Sequence, residues 1–399
     1  MGLKDTYNIL MYSHDTYGLG HIRRSMAIAS RLVGPNVNIL ILTGSPIAGR
    51  FSFPDQIDFV RIPGMIKETN DEYRPLSIKI SPGEALKIRT KIILATAKAF
   101  KPHLFIVDKE PLGLKREVLP TLSWFHKNLP QTQTVLGLRD IMDDSETVKQ
   151  DWTKKGVYDA LENLYTEVWV YGHQEFYDPI TAYDIPKAVV PKVTFTGYIP
   201  RQTYRKSTVE TLRRELGVGR DQQLVVATTG GGGDGYAVMD TFCTMLESGS
   251  VTVAFKSVMV TGPFMPEELR KDLFRRAKKL GVKTCEFHHK MEKLLAAADL
   301  VVTMGGYNTL CEVLTQKTLC LIVPRETPRL EQLLRAEAFY RHQLADYLPW
   351  KALTPDKMAR KIQRLLENPE PYRSAVSRFT LTGIDTMRER IGHFKERTS

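Results

Sequence analysis

The chain has 399 residues, 42% hydrophobic and 25% charged, with a net charge of +11, the profile of a globular protein of about two or three domains. No run reaches the roughly 18 apolar residues that a spanning helix needs, and the N-terminus lacks a basic-then-apolar leader pattern, so a cytoplasmic location is expected. The four cysteines (Cys243, Cys285, Cys311, Cys320) show no CxxC or Cys/His spacing, which points to core thiols and to no metal site.

Strands and helices alternate from the start. Residues 7–12 (YNILMY) are a predicted strand, followed by the loop DTYGLGH and a helix over about 22–32. Residues 37–42 and 57–62 are the next strands, 83–100 a helix, and 104–108, 134–138 and 167–171 three further strands. Short apolar runs between helical segments are what a parallel sheet buried on both faces requires. The pattern restarts after Pro186 and Pro191. Strands are predicted over 224–228, 257–261, 284–287, 300–303 and 319–323, with helices over 236–247, 267–280, 330–341, 355–367 and 370–396. The expected organisation is a Rossmann-like domain over 1–190, a second over 191–370, and a C-terminal helix within 371–399 packing across both. Two such α/β halves would face a cleft, with ligands beyond the carboxyl ends of the strands.

The strongest local signal is AADLVVTMGGYNTLCE, ending at Glu312. It reads as a buried strand, a Gly305-Gly306 hinge, and a helix opening with Asn308 and Thr309. The glycines let the backbone come close to a ligand, and the helix turns its positive end toward the hinge. Glu312, about two turns on, could accept both hydroxyls of a ribose. The loop 230–235 matches GxGxxG between a strand and a helix, the right setting for phosphates. NAD would call for an acidic residue about 20 positions on; position 255 is Phe, and no GK[ST] follows, so a diphosphate cradle is preferred over an NAD or ATP loop. A purely structural glycine turn is the alternative.

In Gly18-Leu19-Gly20-His21 the fingerprint fails, because position 23 is Arg. His21 sits at a helix N-terminus, whose dipole favours the neutral imidazole, able to take a proton from an attacking hydroxyl. A capping histidine is the other reading. Arg23 and Arg24 would meet an acceptor phosphate or be solvated. Asp108 ends a strand and would orient His21, bind acceptor, or cap a turn. Arg139, with the acids at 140, 143 and 144, is read as acceptor-binding or as an ion-pair turn. Arg325, Arg329, Glu331 and Gln332 follow a strand and could read sugar hydroxyls or neutralise phosphate. Lys87, Lys91 and Lys98 share a helical stripe that suits an anionic membrane face.

Together these residues resemble a GT-B glycosyltransferase. Over about 195–370 the chain is similar to glycosyltransferase family 28, the lipid-linked N-acetylglucosaminyltransferases of peptidoglycan synthesis and their relatives. The resemblance rests on GYIPR (197–201), the glycine loop, EFHHKM (286–291), GGYNTLCE, and the VP…EQ stretch. It implies that Gly231, Gly232 and Gly233 hold a diphosphate, Glu312 the ribose, and Glu331 and Gln332 the donor sugar. It implies too that the backbone at His288 meets uracil, and that Arg201, Gly306, Asn308 and Thr309 complete the donor site. His21 corresponds to the end of the family's N-terminal glycine loop. Here that loop is GLGHIRR rather than a run of glycines, so a different acceptor is expected, met by Gly18, Gly20, Arg23 and Arg139.

The function so implied is inverting, metal-independent transfer of a sugar from a UDP-sugar, with no cofactor, to a glycan, lipid-linked or small-molecule hydroxyl. His21 and Asp108 would be catalytic, and a peripheral contact with the inner membrane face is allowed. A nucleotide-sugar hydrolase or epimerase of the same fold stays open. So does a basic nucleic-acid-binding protein, since residues 1–190 hold 23 Lys and Arg against 22 Asp and Glu, leaving nearly all the positive charge beyond them. No RNP-like strand supports it, and no nucleic-acid partner is expected.

Overall fold

The computed structural model describes residues 6–14, 20–50, 53–67 and 72–398. The chain forms two compact units, one of residues 1–199 with 382–399, the other of residues 200–381.

The first unit holds β1 (Tyr7–Ser13), β2 (Val37–Thr43), β3 (Ile57–Arg61), an antiparallel hairpin of β4 (Met65–Lys67) and β5 (Tyr73–Pro75), then β6 (Leu104–Asp108), β7 (Gln133–Arg139), β8 (Glu167–Tyr171) and β9 (Val193–Phe195). The main sheet runs β3-β2-β1-β6-β7-β8-β9, parallel throughout. Every residue of β6 and β8 is buried, as expected of strands covered on both faces. Phe105, Phe125, Leu136 and Trp152 are among the side chains filling the core, each fully buried apolar side chain contributing roughly 1.5–3 kcal/mol.

Two expectations are corrected here. Residues 193–195, left to the second domain by a boundary at 190 and not predicted as a strand, form β9 and pair with β8 in the first sheet. The helix expected over 370–396 is two helices, Tyr372–Arg378 and Gly383–Thr398. The break has a local cause. Thr382 Oγ1 donates to Thr196 O at 2.9 Å, and Gly383 N donates to Tyr198 O at 3.1 Å, so the chain is pinned to the first unit at this point. The last helix belongs to that unit: Phe394 stacks on Trp169, and Arg390 pairs with Glu167.

The second unit holds β10 (Gln223–Thr228), β11 (Phe255–Val260), β12 (Lys283–Cys285), β13 (Leu300–Thr303), β14 (Leu319–Ile322) and β15 (Asp346–Tyr347), in the order β12-β11-β10-β13-β14-β15 and again all parallel. In both sheets the winding reverses beside the first strand, between β1 and β6 and between β10 and β13. Crevices at such reversals, past the carboxyl ends of the strands, are where open α/β sheets take ligands. Among the described residues no helix is long and apolar enough to cross a membrane. The helix Pro82–Phe100 turns Ala85, Arg89, Ile93 and Ala97 inward, and leaves Lys87, Ile88, Lys91 and Lys98 exposed.

Candidate functional site

At the first reversal β6 ends on Asp108, which is buried. Two side chains of the helix Gly20–Leu32, one turn apart, converge on it. Arg24 donates from Nε to Oδ1 at 2.8 Å and from Nη2 to Oδ2 at 2.7 Å, and His21 Nδ1 lies 2.6 Å from Oδ2. Burial alone would raise the Asp108 pKa; Arg24 and the His21 hydrogen bond outweigh it and hold the carboxyl well below its usual range. Asp108 is therefore ionised and can only accept, so the His21 proton sits on Nδ1 and the lone pair on Nε2. The Arg24 Nη2 contact to Nδ1 at 3.1 Å is then a close approach of two donors sharing one carboxylate oxygen. Burial is the largest influence on His21 and pushes it down to about 4, against the pull of Asp108. The neutral imidazole expected from the helix dipole thus has a stronger cause.

Arg24, its side chain 2% exposed, is engaged by Asp108 and not turned to an acceptor phosphate. Arg23 is half-buried on the same helix, Gly20 opens it, and Gly18 lies outside the described residues. Arg139 closes β7, next to β6. Of the acids that follow, Asp140 accepts from Tyr198 OH at 3.1 Å, and Asp144 caps the helix Ser145–Lys155 through Thr147 N at 3.0 Å. Their observed bonds are thus a long-range contact to Tyr198 and a helix cap.

His14 escaped the sequence reading, although a histidine just past the first strand follows the same positional logic as Asp108. It is buried, its ring edge-on to His21 at 5.6 Å. Tyr12 OH donates to Glu117 at 2.6 Å, leaving the phenol oxygen to accept from His14 Nδ1 at 3.3 Å. Glu117 is gripped in turn by Arg89 at 2.6 and 2.5 Å, both side chains fully buried. This anchor fixes the segment in which Lys115 and Arg116 take left-handed backbone (φ 47° and 67°), at a cost of order 1–2 kcal/mol each. His14, Tyr73, Glu110, Lys115, Arg116 and Lys155 are among the residues around a cavity of about 340 Å³.

At the second reversal, β10 runs into the loop 229–235 and the helix Tyr236–Ser248. Gly232 has φ 86°, and a Cβ there would stand 2.1 Å from Thr261 O. Phe264 N donates to Gly231 O at 2.8 Å, and Thr229 Oγ1 to Thr261 O at 3.0 Å, so the loop lies flat on the segment after β11. Part of the glycine content is therefore structural. Gly233 and Gly306 are different. A Cβ on Gly233 would find only Phe264 Cβ at 3.8 Å, and one on Gly306 nothing within 4 Å.

Gly306 is the N-cap of the helix Tyr307–Gln316, which carries Asn308, Thr309 and the buried Glu312. A Cβ on Gly230 would lie 3.9 Å from Thr309 Oγ1, so the two glycine corners adjoin. Arg201 donates from Nη2 to Asn308 Oδ1 at 2.8 Å. His288 follows β12 on a segment tied to the loop after β11 through Gly262 N and Glu286 O at 2.9 Å; partial burial pushes its pKa down. Glu331 and Gln332 open the helix Glu331–Arg341, and both hold Arg325. Glu331 Oε1 accepts from Arg325 Nη2 at 2.7 Å, and Gln332 Oε1 from Arg325 N at 3.2 Å. Arg325 Nε also stands 3.0 Å from Asp234 of the glycine loop, a link the sequence did not reveal.

Comparisons with known proteins agree with this architecture. Residues 243–387 match the family model described as glycosyltransferase family 28 C-terminal domain. The UDP-N-acetylglucosamine–N-acetylmuramyl-(pentapeptide) pyrophosphoryl-undecaprenol N-acetylglucosamine transferase of Streptococcus uberis is 32% identical over 149 residues, 37% of this chain and 39% of that protein. Its counterpart from Streptococcus gordonii is 27% identical over 187 residues, 46% of this chain and 50% of that one. The chain thus spans half or less of the length of these curated relatives. Among solved structures, the calicheamicin glycosyltransferase CalG4 aligns with a TM-score of 0.62 at 14% identity, over 99% of both chains. Acinetobacter baumannii MurG aligns with a TM-score of 0.61 at 13% identity, over 97% of this chain and 99% of that one. Residues 243–387 are therefore similar to the glycosyltransferase family 28 C-terminal domain, in a chain whose fold is that of the GT-B glycosyltransferases.

Proposed function

We propose that this chain transfers a sugar from a nucleoside diphosphate, UDP, to a hydroxyl acceptor with inversion at the anomeric carbon. The observation that carries the proposal is the His21–Asp108 pair, 2.6 Å apart, with Asp108 fixed by Arg24. It offers a neutral imidazole whose Nε2 lone pair can take a proton, as an attacking hydroxyl requires. The acceptor oxygen bonds to the anomeric carbon, its proton passes to Nε2, and the bond from that carbon to the diphosphate breaks. The acceptor would enter beside His14, where the cavity of about 340 Å³ falls at the small end of ligand sites.

The donor is assigned to the second unit. Gly231, Gly232 and Gly233 with the helix start after them would cradle the diphosphate, and Gly306, Asn308 and Thr309 would offer a second helix N-terminus. Glu312 would accept from the ribose, the backbone at His288 would meet the base, and Glu331 and Gln332 would reach the sugar, with Arg201 behind Asn308. Backbone N–H groups and arginines meet the leaving charge, so the proposal calls on no metal or cofactor. The curated relatives are named for a UDP-N-acetylglucosamine donor and an undecaprenol-linked acceptor, which supports a UDP-sugar. The exposed Lys87, Lys91 and Lys98 are compatible with a peripheral contact to an anionic membrane bearing such an acceptor.

The test is a thermal-shift screen of the protein against UDP-, GDP- and dTDP-sugars, followed by mass spectrometry of products with candidate hydroxyl acceptors. A UDP-sugar that stabilises the protein and a glycosylated product are expected. Sugar released to water at the same rate without acceptor would favour a hydrolase, and no nucleotide binding at all would overturn the donor assignment.

A further inference from the structure

We infer that Arg325 is the cation that meets the donor's diphosphate, and that Asp234 occupies its guanidinium until the donor arrives. The inference rests on the donor assignment above and adds a residue and an exchange to it. Arg325 is placed just past β14 and is only 17% exposed at its side chain, with two carboxylates on it. The two are not equivalent. Glu331 is 7% exposed and anchored at the start of a helix, so it serves as a fixed partner that sets the guanidinium plane. Asp234 is 52% exposed and belongs to the glycine loop itself, between Gly233 and Gly235.

A carboxylate on an arginine stands where a phosphate oxygen would, because the guanidinium N–H groups can face either anion. A diphosphate seated on Gly231, Gly232 and Gly233 would come within a residue of Asp234, and two anions so close repel. The half-exposed Asp234 can turn to water, whereas Arg325 is held in place by Glu331 and by the Gln332 bond to its backbone N. Donor binding then exchanges Asp234 for phosphate on one guanidinium. That exchange selects ligands carrying the phosphates over the bare nucleoside.

The experiment is calorimetric titration of the full chain with UDP and with uridine. Arg325→Ala should weaken UDP by roughly ten- to hundredfold, the size of a lost charge-assisted contact, and leave uridine unchanged. Asp234→Asn should tighten UDP by roughly three- to tenfold, again without effect on uridine. The gain should vanish when both changes are combined. Arg325→Lys should fall between Arg325→Ala and the unaltered protein, since it keeps the charge and loses the fork. Asp234→Asn alters an exposed side chain, so it carries the test even where Arg325→Ala fails to fold. Unchanged or weaker UDP binding by Asp234→Asn would overturn the exchange. So would the same gain in the Arg325→Ala background, which would make Asp234 a simple repelling charge, or equal losses of UDP and uridine in Arg325→Ala. Failure of the unaltered protein to bind either ligand would instead remove the donor assignment itself.

Discussion

Gly306→Ala separates a glycine kept for the fold from one kept for a ligand. Its φ of −61° and ψ of 138° suit any residue, and an added Cβ meets nothing within 4 Å. The smaller freedom of the unfolded chain should stabilise by roughly 0.4–1 kcal/mol. Alanine is a poorer N-cap than glycine, by an amount on the order of 1 kcal/mol. The two nearly cancel, so the melting temperature should stay within about 2–4 °C of the unaltered protein. A diphosphate on that helix N-terminus would nevertheless be pushed off its backbone donors. Losing one charge-assisted hydrogen bond of about 1.5–3 kcal/mol weakens UDP by roughly ten- to hundredfold. Gly232→Ala is the opposite control. There φ is 86° and the Cβ would lie 2.1 Å from Thr261 O, a backbone atom that cannot rotate away. Strain of about 1–3 kcal/mol plus the clash should lower the melting temperature by several degrees, roughly 5 °C or more, with or without ligand. Scanning fluorimetry and UDP calorimetry on both variants decide the matter. Gly306→Ala that binds UDP as tightly as the unaltered chain would refute the placement of phosphate at this helix.

With His21 pushed down to about 4, the base form persists well into acid, so kcat/KM should hold from neutral pH to near pH 4.5 and fall only below; an acid limb near 6.5 would show that His21 is not the base. The same shift makes the unfolded chain bind a proton first between 6.5 and about 4, so His21 should contribute a loss of about 3 kcal/mol of stability as pH falls through that window. His21→Ala should remove that part of the drop in denaturant titrations, leaving the part due to His14, whose pKa burial also lowers. Glu117→Gln leaves Arg89 as an uncompensated buried cation and should destabilise by about 3–5 kcal/mol in chemical unfolding. Glu312→Gln should weaken UDP by about tenfold while abolishing discrimination against 2′-deoxy-UDP; retained discrimination would move the ribose elsewhere.

Among the described residues, three of the four strands whose residues are all buried were legible to the residue: 104–108, 167–171 and 300–303 stand where the apolar runs stood, and the fourth, β14, ends one residue before the predicted 323. The hairpin Met65–Lys67 with Tyr73–Pro75 and the edge strand Asp346–Tyr347 were not, because short strands at the margin of a sheet carry mixed polarity and no period. The first unit extends to 199 because the short strand Val193–Phe195 pairs with β8; its last segment, 382–399, returns after the second unit is complete, and a linear reading sees only where a pattern restarts. His21 and Asp108 could be picked out because strand ends and helix starts are visible in sequence. Arg24 could not be assigned, since its spacing of one turn from His21 says they share a face but not that Asp108 lies under both. Arg325 and Asp234 meet only through the order of strands in the second sheet.

One winding pattern occurs twice in this chain, and the residues at each reversal decide what it can hold. In the first unit the strand across the reversal ends in a carboxylate, Asp108, and the helix opposite brings His21 and Arg24. In the second the corresponding strand, β13, gives way to Met304, Gly305 and Gly306, and the helix starts are left with bare backbone. A diphosphate at the first reversal would face Asp108 with its one compensating arginine already bound, and repulsion would oppose it. At the second it would face N–H groups and helix dipoles, with Arg325 alongside once the half-exposed Asp234 has turned away. A neutral hydroxyl gains little from those dipoles, but it does need a base, and His21 supplies one only at the first. The open helix starts thus support the proposed donor placement in the second unit, and the base supports the proposed acceptor placement in the first.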